Sequence, residues 1–178
     1  NQLPDAETGP DGNICVGESV TLGQPSTAGH TYSWSSDPAG FTSTNAQITV
    51  SPSVTTIYYL TETITATGCT NTNSATVTSN QVINLTFTPA IPEICSGENT
   101  NIALESNYLG TTFSWTASLE SGSATTGFGP GSGDVITQTL INNSSFIAVV
   151  KYQIAALAGV CQNTDVELLV TVFPAATT

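Results

Sequence analysis

The residues with the clearest chemistry are four cysteines: Cys15, Cys69, Cys95 and Cys161. They do not fit a usual zinc site, because the chain has no C-x-x-C motif and only one histidine, His30. Four cysteines in a chain with one lysine and no arginine instead predict disulfides. Disulfides in turn predict an oxidising compartment, so we expect an extracellular protein.

The sequence offers few residues that could carry out acid–base catalysis. A Ser or Thr nucleophile needs a base, and we expect His30, the single imidazole, to be a solvated residue in a turn. Glu18 and Glu98 occupy matching positions, but each follows a glycine in a tight turn, where a carboxylate can accept backbone N–H bonds. We therefore predict that the chain is not an enzyme.

Calcium is the ligand that the acids could bind. Asp5, Glu7 and Asp11 cluster in a Gly/Pro-rich N-terminal stretch, and Asn13 follows. Hard oxygen ligands of this kind bind Ca²⁺, and the net charge of −12 favours a cation. The EF-hand spacing is absent, and surface acids on a flexible terminus are the commoner explanation. No cofactor is required, and Ca²⁺ is the one to test.

The charge balance excludes whole classes of partner. With 13 acids against one lysine, the chain lacks the basic cluster that nucleic acids or anionic membranes need. No apolar run approaches the ~20 residues of a membrane-spanning helix, so no membrane insertion is expected. Because the chain starts at Asn1, without Met or a signal peptide, we expect a processed protein or an excised piece.

An internal repeat organises the chain. Three motifs occur twice in the same order. Ile14-Cys15-Val16-Gly17-Glu18 recurs as Ile94-Cys95-Ser96-Gly97-Glu98, and Tyr32-Ser33-Trp34-Ser35 recurs as Phe113-Ser114-Trp115-Thr116. Gly68-Cys69-Thr70-Asn71-Thr72 recurs more loosely as Val160-Cys161-Gln162-Asn163-Thr164. The offset grows from 80 (15 to 95) to 92 (69 to 161), which places an insertion in copy two, in the Gly/Ser-rich loop 121–134. We predict a linker or arm at 1–12 and domains at 13–82 and 83–178.

Each copy consists of short alternating apolar segments separated by turn residues. The 31 Thr and 19 Ser supply strand propensity and polarity without charge. Roughly seven strands per copy, with Trp34 and Trp115 on the third strand as core residues, predict an all-β fold of two tandem antiparallel β-sandwiches. The apolar stretch from Phe146 to Ala158 fits a long strand better than a helix.

The marks of the repeat resemble a known family. The Ile-Cys-x-Gly-Glu run, the (Tyr/Phe)-Ser-Trp strand and the cysteine turn are similar to the Ig-like and PKD-like repeats of Bacteroidetes cell-surface and secreted proteins, gliding adhesins among them. The resemblance covers 13–79 and 93–173. It implies export, tolerance of calcium, and a role as a spacer, stalk or adhesive unit.

Two disulfide connectivities stay open. The simplest is one bridge within each copy, Cys15–Cys69 and Cys95–Cys161. A sandwich, however, places the two turns at opposite ends, whereas bridged Cα atoms lie within ~7 Å. In the staggered alternative, Cys15 meets Cys161, and Cys95 meets Cys69 of a following chain.

The expected function is structural: a stalk, adhesin or fibre building block whose partners are copies of itself or neighbouring Ig-like domains. A first alternative is a self-assembling filament subunit. Ile83, Leu85 and Phe87 form a first strand before copy two, whereas residues 1–13 are polar, so copy one could accept a strand from another chain. The other explanation is that residues 1–12 are a frayed linker.

A second alternative is a carbohydrate-binding accessory module. Such a module needs exposed aromatic side chains on one face, and Phe128 in the Gly-rich loop is the one good candidate. A glycan is therefore a further partner to test.

Overall fold

The computed structural model describes residues 2–175 and is built from strands and turns, with no helix among those residues. It divides into two compact units, residues 1–81 (unit 1) and 82–178 (unit 2). Unit 1 thus includes residues 1–12, the segment that the sequence predicts as a linker or arm. None of the described residues forms a helix that could span a membrane.

The described residues of unit 1 form seven strands in two sheets. The larger sheet has the order β1-β7-β6-β3-β4, and the smaller pairs β2 with β5. Every pairing is antiparallel except that of β1 with β7, which is parallel. The strands are β1 (Gly12–Cys15), β2 (Val20–Gly23), β3 (His30–Asp37), β4 (Thr42–Ser43), β5 (Gln47–Val50), β6 (Thr56–Ile64) and β7 (Thr70–Asn80).

Strand alternation builds the core of unit 1. On β6 the side chains of Thr56, Tyr58, Leu60 and Glu62 are all buried, because residues two apart face the same side of a sheet. Trp34 on β3 is 1% exposed and lies in this core, as the sequence predicts. Apolar residues from both sheets complete the core: Ile14, Leu22, Ile48, Val50, Ala75 and Val77.

Unit 2 repeats this plan with additions. Its sheets have the orders β13-β11-β16-β17-β9, β14-β10-β8 and β12-β15. The strands are β8 (Leu85–Thr88), β9 (Glu93–Cys95), β10 (Ile102–Ser106), β11 (Thr112–Ser121), β12 (Thr125–Thr126), β13 (Gly131–Ser132), β14 (Val135–Ile136), β15 (Ile141–Asn142), β16 (Ala148–Ala158) and β17 (Cys161–Phe173).

The long hairpin of β16 and β17 forms the centre of unit 2. Alternate residues of β16 are fully buried, including Val150, Tyr152 and Ile154, so this apolar stretch is the strand that the sequence predicts. Trp115 on β11 is 7% exposed and faces the same core. Burial also raises the pKa of Tyr152 to about 12.

The predicted insertion 121–134 is ordered by pairing and by one side chain. It contributes β12 and β13, and β13 places Gly131 opposite Trp115. Gln138 fixes the loop: its Nε2 donates to the Gly129 carbonyl at 2.9 Å and its Oε1 accepts the Gly129 N–H at 3.1 Å.

Candidate functional site

The Ile-Cys-x-Gly-Glu motif forms the same turn in both units. In unit 1 the Cys15 N–H donates to Oε2 of Glu18 at 2.9 Å, and the Glu18 N–H donates to the Cys15 carbonyl at 2.9 Å. In unit 2 the corresponding distances between Cys95 and Glu98 are 2.8 and 3.1 Å. The two glutamates therefore accept backbone N–H groups within the turn, as predicted.

This turn places the first cysteine of each unit beside the C-terminal end of the last strand. In the parallel ladder of β1 and β7, Cys15 lies opposite Asn80. In that of β9 and β17, Cys95 lies opposite Phe173. The residue after each of these cysteines adds a backbone hydrogen bond to the same strand. The Val16 N–H donates to the Asn80 carbonyl at 2.8 Å, and the Ser96 N–H donates to the Phe173 carbonyl at 3.0 Å.

The second cysteine of each unit lies at the other end of the same last strand. Cys69 directly precedes β7 and Cys161 begins β17. At 3.3 Å per residue, the ladders separate Cys15 from Cys69 by roughly 35 Å and Cys95 from Cys161 by roughly 40 Å. A disulfide needs Cα atoms within about 7 Å, so neither unit can close the bridge within itself.

The oxidation states agree with this geometry. Cys69 and Cys95 are free thiols, whereas Cys15 and Cys161 are each disulfide-bonded. The predicted pairs Cys15–Cys69 and Cys95–Cys161 are therefore absent from the structure. The partition into one bonded and one free cysteine per unit is that of the staggered alternative.

The N-terminal segment, residues 2–11, packs onto unit 1 as an irregular arm. Ala6 is 0% and Thr8 2% exposed, although residues 2–9 belong to no strand. Backbone groups of the arm find partners on three strands: the Thr8 carbonyl accepts the Gly23 N–H at 2.8 Å, the Pro4 carbonyl accepts Nδ2 of Asn71 at 2.9 Å, and the Ala6 N–H donates to Oε2 of Glu62 at 2.7 Å. The chain's own arm thus occupies the groove that one alternative left open in copy one, and residues 2–11 are not the frayed linker of the other.

Glu62 and His30 form the buried polar centre under the arm. Oε1 of Glu62 lies 2.6 Å from Nδ1 of His30, and the two side chains are 8% and 20% exposed. The expectation of a solvated His30 is therefore wrong, because the alternation of β6 directs Glu62 inward, where it meets the first residue of β3. The pair borders a cavity of 580 Å³ that Leu3, Asp5 and Tyr32 also line.

The three acids proposed for calcium do not form a ligand set. Asp11 accepts the Thr76 N–H at 2.7 Å through Oδ1, while Asp5 and Glu7 border the cavity. Among residues 2–175, no group of three His, Cys, Asp or Glu side chains is placed to hold a metal ion. Calcium binding stays a prediction that no contact in the structure supports.

The Gly-rich loop does not present an open aromatic platform. Phe128 is half-buried, between Gly127 and the Gly129 that Gln138 fixes. Elsewhere on unit 2, Nζ of Lys151 lies 3.0 Å from Oε2 of Glu120 and 3.7 Å from Oε1 of Glu167. The hydrogen bond and the charge of Glu120 raise the pKa of Lys151.

The sequence predicts a linker or arm at 1–12, but neither its packing onto unit 1 nor the His30–Glu62 pair was predicted. One signal could have found them: Glu62 interrupts the apolar face of β6 at a position that must point inward. An acid there requires a buried donor, and His30 and Lys151 are the only side chains of the sequence that can carry a positive charge to meet it.

Two family models match the chain. Residues 4–82 match an Ig-like domain described as CHU_C associated, and residues 92–176 match a PKD-like domain. The first match begins within the arm, in agreement with the packing of that segment on unit 1. A comparison with curated proteins found no match.

Solved structures with a similar course of the chain are tandem Ig fragments. The I-band fragment I67–I69 from titin is 14% identical with a TM-score of 0.49, covering 94% of this chain and 64% of that one. An E-to-A variant of the same three-domain fragment is 13% identical with a TM-score of 0.46, covering 97% and 65%. The chain therefore spans just under two thirds of the length of these fragments.

Proposed function

Since the chain consists of two tandem domains, an Ig-like domain of the CHU_C-associated family followed by a PKD-like domain, we propose that it is an extracellular structural module. It serves as a stalk or adhesive spacer that carries load between its two ends and catalyses no reaction. Disulfide-bonded Cys15 and Cys161 support an oxidising location outside the cell.

The observation that carries this proposal is the parallel pairing of β1 with β7. The arm leads into β1, so the chain enters unit 1 beside the start of β7, where the Pro4 carbonyl accepts Nδ2 of Asn71, and its exit lies at Asn80, the end of β7. Force that pulls entry and exit apart drives the two parallel strands in opposite directions along their axes. All hydrogen bonds of the ladder are then loaded together, whereas an antiparallel hairpin opens one bond at a time.

Side chains strengthen this ladder in unit 1. Nδ2 of Asn80 donates to Oδ1 of Asn13 at 2.6 Å and to the Ile14 carbonyl at 2.9 Å, so one amide holds both strands. In unit 2 the same parallel geometry recurs between β9 and β17. There Phe173 takes the place of Asn80, and the Thr171 N–H adds a bond to the Pro92 carbonyl at 3.1 Å.

Single-molecule force spectroscopy on the reduced chain tests the proposal. We expect two separate unfolding events, one for each unit, and we expect Asn80→Ala to lower the force of one of them. Asn73→Ala is the matched control, because Asn73 lies on the same strand but its Oδ1 bonds only to the adjacent Ser74 N–H. A chain that extends without a force peak, or an equal loss in both variants, would contradict a load-bearing ladder.

A second candidate function is assembly by exchange of the N-terminal arm between copies. The specific observation is that Ala6 and Thr8 are buried although the arm forms no ladder with the sheets. The arm of another chain could make the same contacts, which is the principle of strand complementation. Copies would then join without a covalent bond.

Light scattering across a concentration series tests this second function. Exchange predicts oligomers that grow with concentration and that disappear in Ala6→Asp, because a carboxylate cannot enter the site of a fully buried methyl group. Ala28→Asp, at an exposed position in a turn of the same unit, is the control. Monomers at every concentration would show that the arm serves its own chain only.

A further inference from the structure

Each unit carries one disulfide-bonded and one free cysteine, at opposite ends of its last strand. We propose that the free Cys95 of one copy forms a disulfide with the free Cys69 of a second copy, so that copies join head to tail by covalent bonds. This inference deepens the proposed structural function and rests on it for an oxidising compartment. It names a second copy of this chain as the partner.

Cys95 is the structural counterpart of a cysteine that is already bonded. It shares with Cys15 the turn, the glutamate that accepts its N–H, and the position opposite the end of the last strand. Even the following residue makes the same backbone bond in both units. The environment that presents Cys15 to a disulfide partner therefore presents Cys95 in the same way.

Cys69 is in turn the counterpart of the bonded Cys161. Each follows a turn that contains a glycine with positive φ, Gly68 at +70° and Gly159 at +60°, and each leads into the last strand of its unit. The first-cysteine type is thus bonded in unit 1 and free in unit 2, and the second type is bonded in unit 2 and free in unit 1. One further pair of the same two types completes the pattern.

Exposure and charge favour the mixed pair over pairs of like ends. Cys95 is exposed and Cys69 partly so. Cys95 is flanked by the exposed acids Glu93 and Glu98, whereas the turn before Cys69, residues 65–68, is exposed and uncharged. Two Cys95 ends would bring four carboxylates together in a protein of net charge −12, and a Cys95 end against a Cys69 end would not.

The mixed pair is a heterologous contact, which leaves one free cysteine of each type on the resulting dimer. Such contacts propagate into chains unless the rotation between copies closes a ring.

The reaction needs an oxidant, and a small-molecule disulfide supplies it. The Cys95 thiolate attacks this disulfide and releases one thiol, and the Cys69 thiolate of a second copy then attacks the Cys95 sulfur and releases the other. Two protein thiols are oxidised, the small disulfide is reduced, and the two protons pass to the released thiols.

Two single variants make the test selective. Cys69→Ser keeps only the Cys95 thiol free, and Cys95→Ser keeps only the Cys69 thiol free. In a buffer of oxidised and reduced glutathione, non-reducing electrophoresis should show a ladder of species for the unchanged chain. Each variant alone should stop at a monomer or dimer. An equimolar mixture, one partner labelled with ¹⁵N, should give more mixed dimer than random pairing does.

Mass spectrometry of the mixed dimer should identify a peptide that joins Cys69 to Cys95, released with chymotrypsin because Lys151 is the only site for trypsin. The double variant Cys69→Ser/Cys95→Ser should remain monomeric with an unchanged melting temperature, which excludes exchange at Cys15 or Cys161. A wild-type chain that stays monomeric, or mixtures that contain like-end dimers only, would overturn the inference. Two force peaks from such a monomer would leave the load-bearing function standing, so the two failures are distinguishable.

Discussion

The two units cover corresponding sides of their sandwiches with different segments. In the ladders, Leu60 lies opposite Trp34 and Ile154 lies opposite Trp115, so the positions two residues further on, Glu62 and Ala156, correspond. Both are buried, at 6% and 1% exposure. One unit therefore keeps a carboxylate at the point where the other keeps a methyl group.

The reason lies in the segment that each unit uses first. Unit 2 begins with a regular strand, β8, whose backbone groups pair with those of β10. Unit 1 begins with the irregular arm, whose Ala6 N–H has no ladder to join and donates to Glu62 instead. A segment without a strand partner can cover a core only where side chains replace the missing acceptors, because a buried, unpaired N–H is costly.

The tryptophans show a second difference. Trp34 lies opposite Ser43, and its Nε1 donates to the Asn45 carbonyl at 2.9 Å. Trp115 lies opposite Gly131, and among residues 2–175 no acceptor faces its buried Nε1. The insertion in unit 2 thus supplies space for the indole ring but not a hydrogen bond.

Removal of the Glu62 carboxylate should give the largest difference in stability change between the two units. Glu62→Ala deletes the acceptor of the Ala6 N–H and of His30, and we expect it to lower the free energy of unfolding of unit 1 by about 3 kcal/mol. Unit 2 should be unaffected. The measurement is urea unfolding followed by fluorescence in a Trp115→Phe background, where Trp34 is the only indole.

Two variants control this experiment. Glu62→Gln keeps an amide oxygen for the Ala6 N–H and should lose less than Glu62→Ala. Glu167→Ala removes an acid that is 55% exposed in unit 2 and should change stability little. Equal losses from Glu62→Ala and Glu167→Ala would show that the buried acid does not secure the arm.

High pH should destabilise unit 2 through Tyr152. Its pKa is raised from 10.0 to about 12, because the ring is buried. Between these values the unfolded chain releases the proton while the folded chain retains it, so stability falls as the pH rises from 10 to 12, by about 2.7 kcal/mol at most. Urea titrations at pH 9, 10 and 11 should show this slope, reduced in Tyr152→Phe. An unchanged slope in that variant would assign the alkaline transition to other groups.

Gly131→Ala should destabilise unit 2 alone. A Cβ at this position would lie 2.5 Å from Cζ2 of Trp115, and we expect the overpacking to cost about 2 kcal/mol. Gly129→Ala is the matched control in the same loop, because its Cβ would meet nothing within 4 Å. The measurement is thermal unfolding followed by the fluorescence of Trp115. A loss in Gly129→Ala of similar size would point to loop flexibility instead of contact with the indole.

The repeat, the strands and the turns could be predicted from the sequence because they are local. The Ile-Cys-x-Gly-Glu turn closes within four residues, and strand alternation places Trp34 and Trp115 inward without knowledge of the rest. The burial of the arm and of His30 could not, because both depend on Glu62, which is 56 residues from Ala6 and 32 from His30. A polar N-terminal stretch looks the same whether or not such an acceptor exists.

The cysteines fall between these cases. Their positions at the ends of the sandwich follow from the repeat, and this geometry alone argues against a bridge within one copy. The local motifs do not identify which cysteine of each unit is bonded, because Cys15 and Cys95 share one local motif and Cys69 and Cys161 lie in similar turns. Identical local chemistry shows which cysteines are equivalent, but not which of two equivalent cysteines is bonded within one chain.

The smallest effect concerns the indole N–H groups. Phenylalanine removes the Nε1 donor at either position, but only Trp34 loses a hydrogen bond, to the Asn45 carbonyl. Trp34→Phe should therefore cost about 1 kcal/mol more than Trp115→Phe once the similar loss of buried ring area is subtracted. Urea unfolding followed by circular dichroism measures both variants on the same scale. If Trp115→Phe costs as much, the buried Nε1 of Trp115 has an acceptor, such as an ordered water, and the two cores are more alike than their contacts indicate.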